Sequence, residues 1–462
     1  MAEVAGIGSG KLKADAQKGR SWIYPKLIKG KLYHYRSWFG TFLLILLFSG
    51  PFLKINGEQL VLLNVLEGRF VFFGLVFGPQ DFYLFVVATL IFLVFIVLFT
   101  AVFGRVWCGW ACPQTIFMEM VFRRIEYWIE GDAARQRKLD SSARNFSWYL
   151  KKGSKHLIFL FISFLIANIF LAYIIGSEAL IAIISEPVGQ HISGFISISI
   201  FTLTFYGVFA YLRENVCTLI CPYGRLQNVL LDKKSLIVGY DYQRGEPRGQ
   251  LRKGEENLHG DCVDCNLCVQ VCPTGIDIRE GTQLECINCT ACIDACDMVM
   301  DKLNRPLRLI GFKSEEEMAT GKPFRLSKRI YGYTAVLVVM IGILSILLLR
   351  RTDVETTLLR AGGTLYQLRD DGTVSNLYNA EITNKTNHSI KFEIKAANPS
   401  ARIQFIQKVN RVEKYGSSRL TFFIIRPLKT IEKFKSDIRL EISSNGKVIE
   451  NVKTTFIAPL DL

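Results

Sequence analysis

Eight cysteines stand in two runs of one pattern. Cys262, Cys265, Cys268 and Cys272 precede Pro273, and Cys286, Cys289, Cys292 and Cys296 precede Asp297. Each run is C-x2-C-x2-C-x3-C. A cubane iron–sulfur cluster offers its irons at close range, and three cysteines three apart on a tight loop reach three of them. The fourth ligand comes from elsewhere, and in the bacterial two-cluster arrangement the last cysteine of each run ligates the other cluster. The spacing therefore assigns Cys262, Cys265, Cys268 and Cys296 to one [4Fe–4S] cluster and Cys272, Cys286, Cys289 and Cys292 to a second. Structural zinc also uses paired C-x2-C, but it takes four ligands and leaves the third cysteine of each run without a role.

The other four cysteines form a second repeat. Cys108-Gly109-Trp110-Ala111-Cys112-Pro113 and Cys217-Thr218-Leu219-Ile220-Cys221-Pro222 each follow an apolar run directly. On a helix, residues i and i+4 share a face, so each pair could clamp one soft ion or close a reversible disulfide. The two pairs together could make a four-thiolate site. Thiolates select soft ions such as Cu(I). Arg105, Arg123, Arg124, Arg213 and Arg225 flank the pairs, and nearby positive charge lowers a thiol pKa. Arginines at such places also serve as interface anchors. The alternative reading is four buried free thiols packing as small hydrophobes; duplication, with proline each time, favours redox or metal work. Met118, Met120, Met298 and Met300 lie near the cysteines, and methionines so placed are more often core filler than copper ligands.

The elements that must position these groups are membrane helices. Of 462 residues, half are hydrophobic, and the net charge is +15. A secreted disulfide scaffold is small and short of core, which this chain is not, so the cysteine spacing indicates metal chemistry in a reducing compartment. Four apolar runs, 82–103, 157–175, 192–212 and 331–349, have the ~20 residues that a bilayer crossing takes. A fifth, 38–55, is shorter, carries Pro51 and is expected to be a kinked first span. Residues 60–78 are apolar but contain Glu67 and Arg69, which predicts an amphipathic or re-entrant piece. Segments 1–37, 104–156 and 213–330 hold 8, 10 and 17 Lys/Arg, against 2 in 54–81 and 0 in 176–191. The basic balance thus belongs to loops on one side of a membrane and not to a nucleic-acid surface. By the positive-inside rule the N-terminus and all the cysteines are cytoplasmic, and five crossings put 352–462 outside. The N-terminus has no cleaved-signal pattern.

The outer segment alternates polar with apolar residues over 364–369, 388–395, 419–425 and 437–442. Turn residues separate these runs at Asp371-Gly372, 384–387 and Asn445-Gly446. About seven short strands predict an immunoglobulin-like sandwich. It contains no cysteine, so packing or docking is its expected role. The chain is therefore a multi-domain membrane protein. A cytoplasmic segment 1–37 precedes a transmembrane region 38–230 with both C-x3-C-P elements. A cytoplasmic bacterial-type two-[4Fe–4S] ferredoxin domain, 231–330, follows, then a last helix 331–349 and the extracytoplasmic β domain. His156 and His191 lie at opposite ends of their spans, so no haem is expected. No phosphate-binding glycine motif follows a strand, so no nucleotide is expected either.

Taken together these features resemble the cytochrome-oxidase accessory polyferredoxins of the CcoG family, also called FixG or RdxA. The resemblance is densest in Gly104-Arg105-Val106-Trp107-Cys108-Gly109-Trp110-Ala111-Cys112-Pro113-Gln114-Thr115, Glu130-Gly131-Asp132 and Gly260-Asp261-Cys262-Val263-Asp264-Cys265. It continues in Pro273-Thr274-Gly275-Ile276-Asp277-Ile278-Arg279 and Glu285-Cys286-Ile287-Asn288-Cys289. Arg305-Pro306-Leu307-Arg308-Leu309-Ile310 departs from it and lies outside the ligands. The resemblance implies a bacterial inner-membrane oxidoreductase acting in assembly of cbb3-type cytochrome oxidases. Cu(II) would be reduced to Cu(I) on the cytoplasmic side, with Cys108, Cys112, Cys217 and Cys221 as the copper-handling positions. It implies as partners the oxidase subunits or assembly factors and a cytoplasmic electron donor, and no nucleic acid. Two other readings stay open: a quinol dehydrogenase subunit feeding a periplasmic reductase, and a non-catalytic assembly scaffold.

Overall fold

In the computed structural model, which describes residues 22–250, 260–363, 365–406, 409–431, 433–444 and 446–459, the long helices follow the apolar runs. They are α1 (Lys31–Ser49), α2 (Phe82–Phe103), α3 (Phe146–Ile175) and α4 (Ile192–Gly207, extended by a π turn through Leu212), with α5 (Ala291–Lys302) and α6 (Lys328–Leu349) later in the chain. Among the described residues four helices are long and apolar enough to cross a membrane: α2, α3, α4 with its extension, and α6. Their side chains are largely exposed, as lipid-facing residues are. Helix α3 starts well before the apolar run at 157, because Lys151, Lys152 and Lys155 continue the same helix.

The bounds of the fifth expected span, 38–55, are corrected. Helix α1 ends at Ser49, before Pro51, and its first two turns carry Lys31, His34 and Arg36. Its apolar part is thus short of the ~20 residues of a typical span. The helix starts against the cysteine cassette. Asp294 of α5 accepts the backbone N–H groups of Leu32 (3.1 Å) and Tyr33 (2.7 Å), satisfying donors that a helix N-terminus leaves open. Gly30 makes room for this carboxylate, since a Cβ there would meet Asp294 Cγ at 2.2 Å.

The described chain divides into two units. The first takes in residues up to Ser49, Thr89–Ala172 and Glu178–Ile341; the second takes in Gly50–Ala88, Tyr173–Ser177 and the chain from Gly342. In the first unit, a core of Phe117, Phe122, Phe159, Ile166 and Phe209 joins three helical segments, with Phe122 and Phe209 stacked at 4.5 Å. The cassette is closed by a two-stranded antiparallel sheet that pairs Ile237–Tyr240 with Ile310–Lys313. Leu309 and Ile310, in the stretch that departs from the family pattern, are buried in the cassette core.

In the second unit, residues 60–78 overturn the amphipathic or re-entrant expectation. They form a three-stranded antiparallel sheet of Val61–Asn64, Arg69–Phe72 and Leu75–Phe77. The two charges that suggested an interface are used locally. Glu67 accepts from Asn64 in the turn, and Arg69 pairs with Glu58 at 2.6 Å. Buried Asp81 binds Arg351 (2.8 Å) and Lys385 (2.6 Å), which ties this segment to the C-terminal domain.

That domain is the expected sandwich. One sheet orders Arg402–Phe405, Ser417–Pro427, Thr373–Asn384 and Val354–Arg360; another orders Glu393–Ala396, Lys435–Ser444 and Lys447–Ile457. Inward residues at period two, among them Val374, Tyr378, Phe422, Ile424, Ile438, Leu440 and Phe456, fill the core. Gly372 takes φ +72 in the expected Asp371-Gly372 turn. Thr364 and Asn445, named in the expected strand and turn, lie outside the described residues.

Candidate iron–sulfur and thiol site

The two cysteine runs fold into matching loops. Asp264 and Asn266 bracket Cys265 with φ +49 and +54; Asn288 and Thr290 bracket Cys289 with φ +52 and +67. Left-handed residues on both sides of the middle cysteine curl the chain, and Asn and Asp adopt that region more readily than other side chains. The third cysteine of each run then sits on a helical turn, Cys268 on Leu267–Gln270 and Cys292 on α5. Arg279 knots the first loop by donating to Asp264 (2.5 Å), Asn266 (2.5 Å) and Asp277 (2.6 Å).

These loops line two small pockets. The first is lined by Cys262, Cys265, Cys268 and Cys296 with Tyr240, Leu309 and Ile310. The second is lined by Cys272, Cys286, Cys289 and Cys292 with Val238, Ile276 and Ile278, and Cys268 borders it too. All twelve cysteines are free. Four thiols each and apolar walls fit two copies of one thiolate-ligated cluster. Among the described residues no three Cys, His, Asp or Glu side chains come close enough to hold a single metal ion. Thiols ringed around a cubane stand further apart than thiols on one ion. Burial pushes the thiols of Cys268 and Cys289 up to about 11 and those of Cys286 and Cys296 up to about 12. A metal therefore displaces protons as it enters.

The two C-x3-C-P elements also fold alike, though not as a single helix with i,i+4 thiols. Cys108 lies in the short helix Val106–Trp110 and Cys217 in the π turn Val216–Ile220. Cys112 and Cys221 then leave in extended conformation, each heading a new helix with proline at its first position. In both, the N–H of the second cysteine returns to the carbonyl just before the first: Cys112 to Trp107 (2.9 Å) and Cys221 to Val216 (2.8 Å). Each of the four thiols lies within electrostatic reach of others in the set, across both elements. Cys108 Sγ faces Gln227 Oε1 at 3.3 Å.

The flanking arginines do not lower these thiols on balance. Burial, then neighbouring thiols, push Cys108 up to about 11 and Cys217 up to about 12; Arg105 only partly opposes this at Cys108. The arginines are committed elsewhere. Arg105 donates to the carbonyls of Leu284 and Gly224, Arg123 to Glu119, Arg124 to Ser37 and Arg213 to both oxygens of Glu126. Met118, Met120 and Met300 are buried as filler, and Met298 is partly exposed.

The thiol elements and the cassette meet at Gly109. A Cβ there would lie 2.4 Å from Ile287 O and 3.0 Å from Asn288 O, so the first C-x3-C sits directly on the C-x2-C loop of the second run. Arg36 donates from Nε to Gly109 O at 2.8 Å. Asn288 Oδ1 accepts from Val238 N at 3.3 Å, and Gly104 packs beside its amide. Sequence reasoning missed Gly109, Arg36, Asn288 and Asp294. Only Gly109 had a local signal, as the one residue without a side chain between two spaced cysteines.

A model described as "4Fe-4S dicluster domain" matches residues 212–315, one described as "4Fe-4S binding domain" matches 85–139, and one for an "IG-like fold at C-terminal of FixG" matches 344–459. The first holds Cys217, Cys221 and all eight cassette cysteines, and the second holds Cys108 and Cys112. Similar curated proteins include Protein RdxB and Protein RdxA of Cereibacter sphaeroides, each 34% identical over 81% of this chain and 82% of their own length. Nitrogen fixation protein FixG of Rhizobium meliloti is 33% identical over 68% of this chain and 61% of its own length. With an iron–sulfur cassette, apolar spanning helices and an Ig-like C-terminal domain in one polypeptide, the chain belongs to the FixG/RdxA family of membrane-bound polyferredoxins.

Proposed function

We propose that this iron–sulfur electron-transfer protein reduces Cu(II) to Cu(I) at Cys108, Cys112, Cys217 and Cys221, supplying Cu(I) for assembly of a cbb3-type cytochrome oxidase. The carrying observation is the seating of Gly109 on Ile287 and Asn288, which sets the thiol pairs against the second cysteine loop. Copper is the substrate. A thiol pair that closes to a disulfide gives up two electrons and two protons, and each electron takes one Cu(II) to Cu(I). Two electrons and two protons then restore the pair. Two [4Fe–4S] clusters, on Cys262, Cys265, Cys268 and Cys296 and on Cys272, Cys286, Cys289 and Cys292, supply one-electron storage beside these thiols when bound. Gln227 holds Cys108 Sγ, while Arg36 and Arg105 fix the backbone between thiols and cassette. Soft sulfur then retains Cu(I) in preference to Cu(II).

Purified protein carrying Cys108→Ala or Cys217→Ala is expected to lose Cu(II) reduction while keeping its cluster absorbance. Oxidase assembly should fail in cells carrying either change. A variant lacking all four thiols that still reduces Cu(II) at the full rate refutes the site. Reduction of the clusters by quinol would favour the dehydrogenase reading instead. The crossed ligation has its own test. Cys272→Ala should damage the cluster on Cys286, and Cys296→Ala the cluster on Cys262; the opposite pattern in EPR spectra and iron content would overturn the assignment.

We further infer an inner-membrane location with the N-terminus, C-x3-C-P elements and residues 231–330 cytoplasmic and residues 352–462 periplasmic. The Lys/Arg asymmetry supports this. So does the grouping of Gly50–Ala88, Tyr173–Ser177 and the C-terminal domain, the expected outer parts, in one unit. Helix α1 starts at the cassette and ends at Ser49, just before the second unit begins; we count it as the fifth crossing on the alternation of basic loops, although its apolar part is shorter than a typical span. A reporter fused after Leu462 should be active only if it functions in the periplasm; activity of a cytoplasm-only reporter would remove one crossing.

A further inference from the structure

The two cysteine loops share a backbone but not their surroundings. In the second, Asn288, Cys289 and Thr290 are 3%, 9% and 1% exposed, covered by Gly109, Gly104 and the Ile237–Tyr240 strand. In the first, the equivalent Cys265 and Asn266 are exposed. Cys262 and Cys268 of the same set are buried, so solvent reaches it at Cys265. Arg279 meets Asp264 and Asp277 there, which leaves the mouth polar but not strongly charged. The covered loop faces the thiols, and the open loop lies at the other end of the cassette sequence.

We propose that the face around Cys265 and Asn266 is the docking surface for a soluble one-electron carrier, and that electrons run from there to the set on the covered loop and on to the C-x3-C-P thiols. The proposal rests on the reading that both cysteine sets hold clusters. Each encounter moves one electron: the carrier is oxidised by one unit and the set at Cys265 is reduced by one. A carrier cannot approach the second set as closely, because membrane-edge elements already occupy the equivalent face. The partner that fits is a small protein with its own redox centre near its surface and a polar docking patch. The packing over the second loop thus leaves the first loop as the face a soluble partner can reach.

The test uses the full-length, cluster-loaded protein in detergent, reduced with dithionite. A soluble gadolinium chelate should speed spin relaxation several-fold for the EPR signal altered by Cys265→Ser, and leave the signal altered by Cys289→Ser unchanged. Equal enhancement of both, or enhancement of the Cys289 signal alone, overturns the proposal. Asn266→Asp covers the case in which ligand variants lose their clusters. Aspartate tolerates the left-handed backbone and still accepts from Arg279, while adding a negative charge at the mouth. Stopped-flow reduction by anionic dithionite should slow several-fold with iron content unchanged; an unchanged rate overturns the entry point. Loss of Cu(II) reduction alongside the expected relaxation pattern would sink the copper reading and leave this one standing.

Discussion

Gly109→Ala is expected to cut Cu(II) reduction by about 100-fold while both clusters remain, since a misplacement of about 1 Å costs on that order in a positioned reaction. The added Cβ would lie 2.4 Å from Ile287 O and 3.0 Å from the Asn288 carbonyl carbon and oxygen. All three are backbone atoms of the second cysteine loop and cannot swing aside as a side chain would. The short helix Val106–Trp110 must therefore back away, taking Cys108 with it. No positive φ is involved, so the effect is one of space. Gly153→Ala is the matched control, because nothing lies within 4 Å of a Cβ there; in the interior of α3 it should be neutral or gain up to about 1 kcal/mol of helix preference. Cu(II) reduction kinetics and EPR of both variants decide the matter. A Gly109→Ala protein with wild-type kinetics would mean that the contact does not set the distance for electron transfer.

Glu126→Ala should destabilise the first unit by about 3–5 kcal/mol, the cost of leaving a buried charge without its partner. Glu126 accepts from Arg213 Nη1 (2.8 Å) and Nη2 (2.9 Å), with Lys155 Nζ at 3.7 Å, and the Glu126 and Arg213 side chains are 4% and 2% exposed. The bond also restrains the backbone. Arg213 sits at φ +52, ψ −124, a conformation that costs non-glycine residues of order 1–3 kcal/mol. It stands four residues before Cys217, so the pair positions the second thiol element. Burial alone would raise the Glu126 carboxyl, but Arg213 and then Lys155 hold it below its ordinary value of 4.5. A depressed carboxyl stabilises the fold fully above its unfolded value and loses that contribution as pH falls through the folded one. The wild type should therefore lose stability on acidification below about pH 4.5, and Glu126→Ala should show less of that loss. Denaturant unfolding followed by tryptophan fluorescence measures both, and a change under 1 kcal/mol would show that water or rearrangement relieves Arg213.

The eight cluster-type cysteines and the duplicated C-x3-C-P were legible because both are local. Each is a fixed spacing on one short loop, and the chemistry of thiolate ligation requires that spacing whatever surrounds it. Four spanning helices were legible for a similar reason, since lipid sets both length and composition. The β sandwich followed from period-two alternation. Residues 60–78 went wrong because Glu67 and Arg69 were read as facing an interface, when a turn and a cross-segment pair with Glu58 satisfy them. The span at 38–55 went wrong at its boundaries, where Asp294, some 260 residues away in sequence, fixes the start of α1. The thiols' protonation ran opposite to expectation for the same kind of reason. Sequence put arginines beside Cys108 and Cys217, but only packing showed those arginines bound to carbonyls and carboxylates and the thiols half-buried beside one another. By itself, then, the sequence determined where thiols repeat at cluster spacing and which segments are long and apolar enough to cross a bilayer, because spacing and hydrophobic length act over a few residues. The tertiary structure alone decided that the thiol pairs gather on one cysteine loop and leave its twin open at Cys265, because burial is set by contacts between segments far apart in the chain.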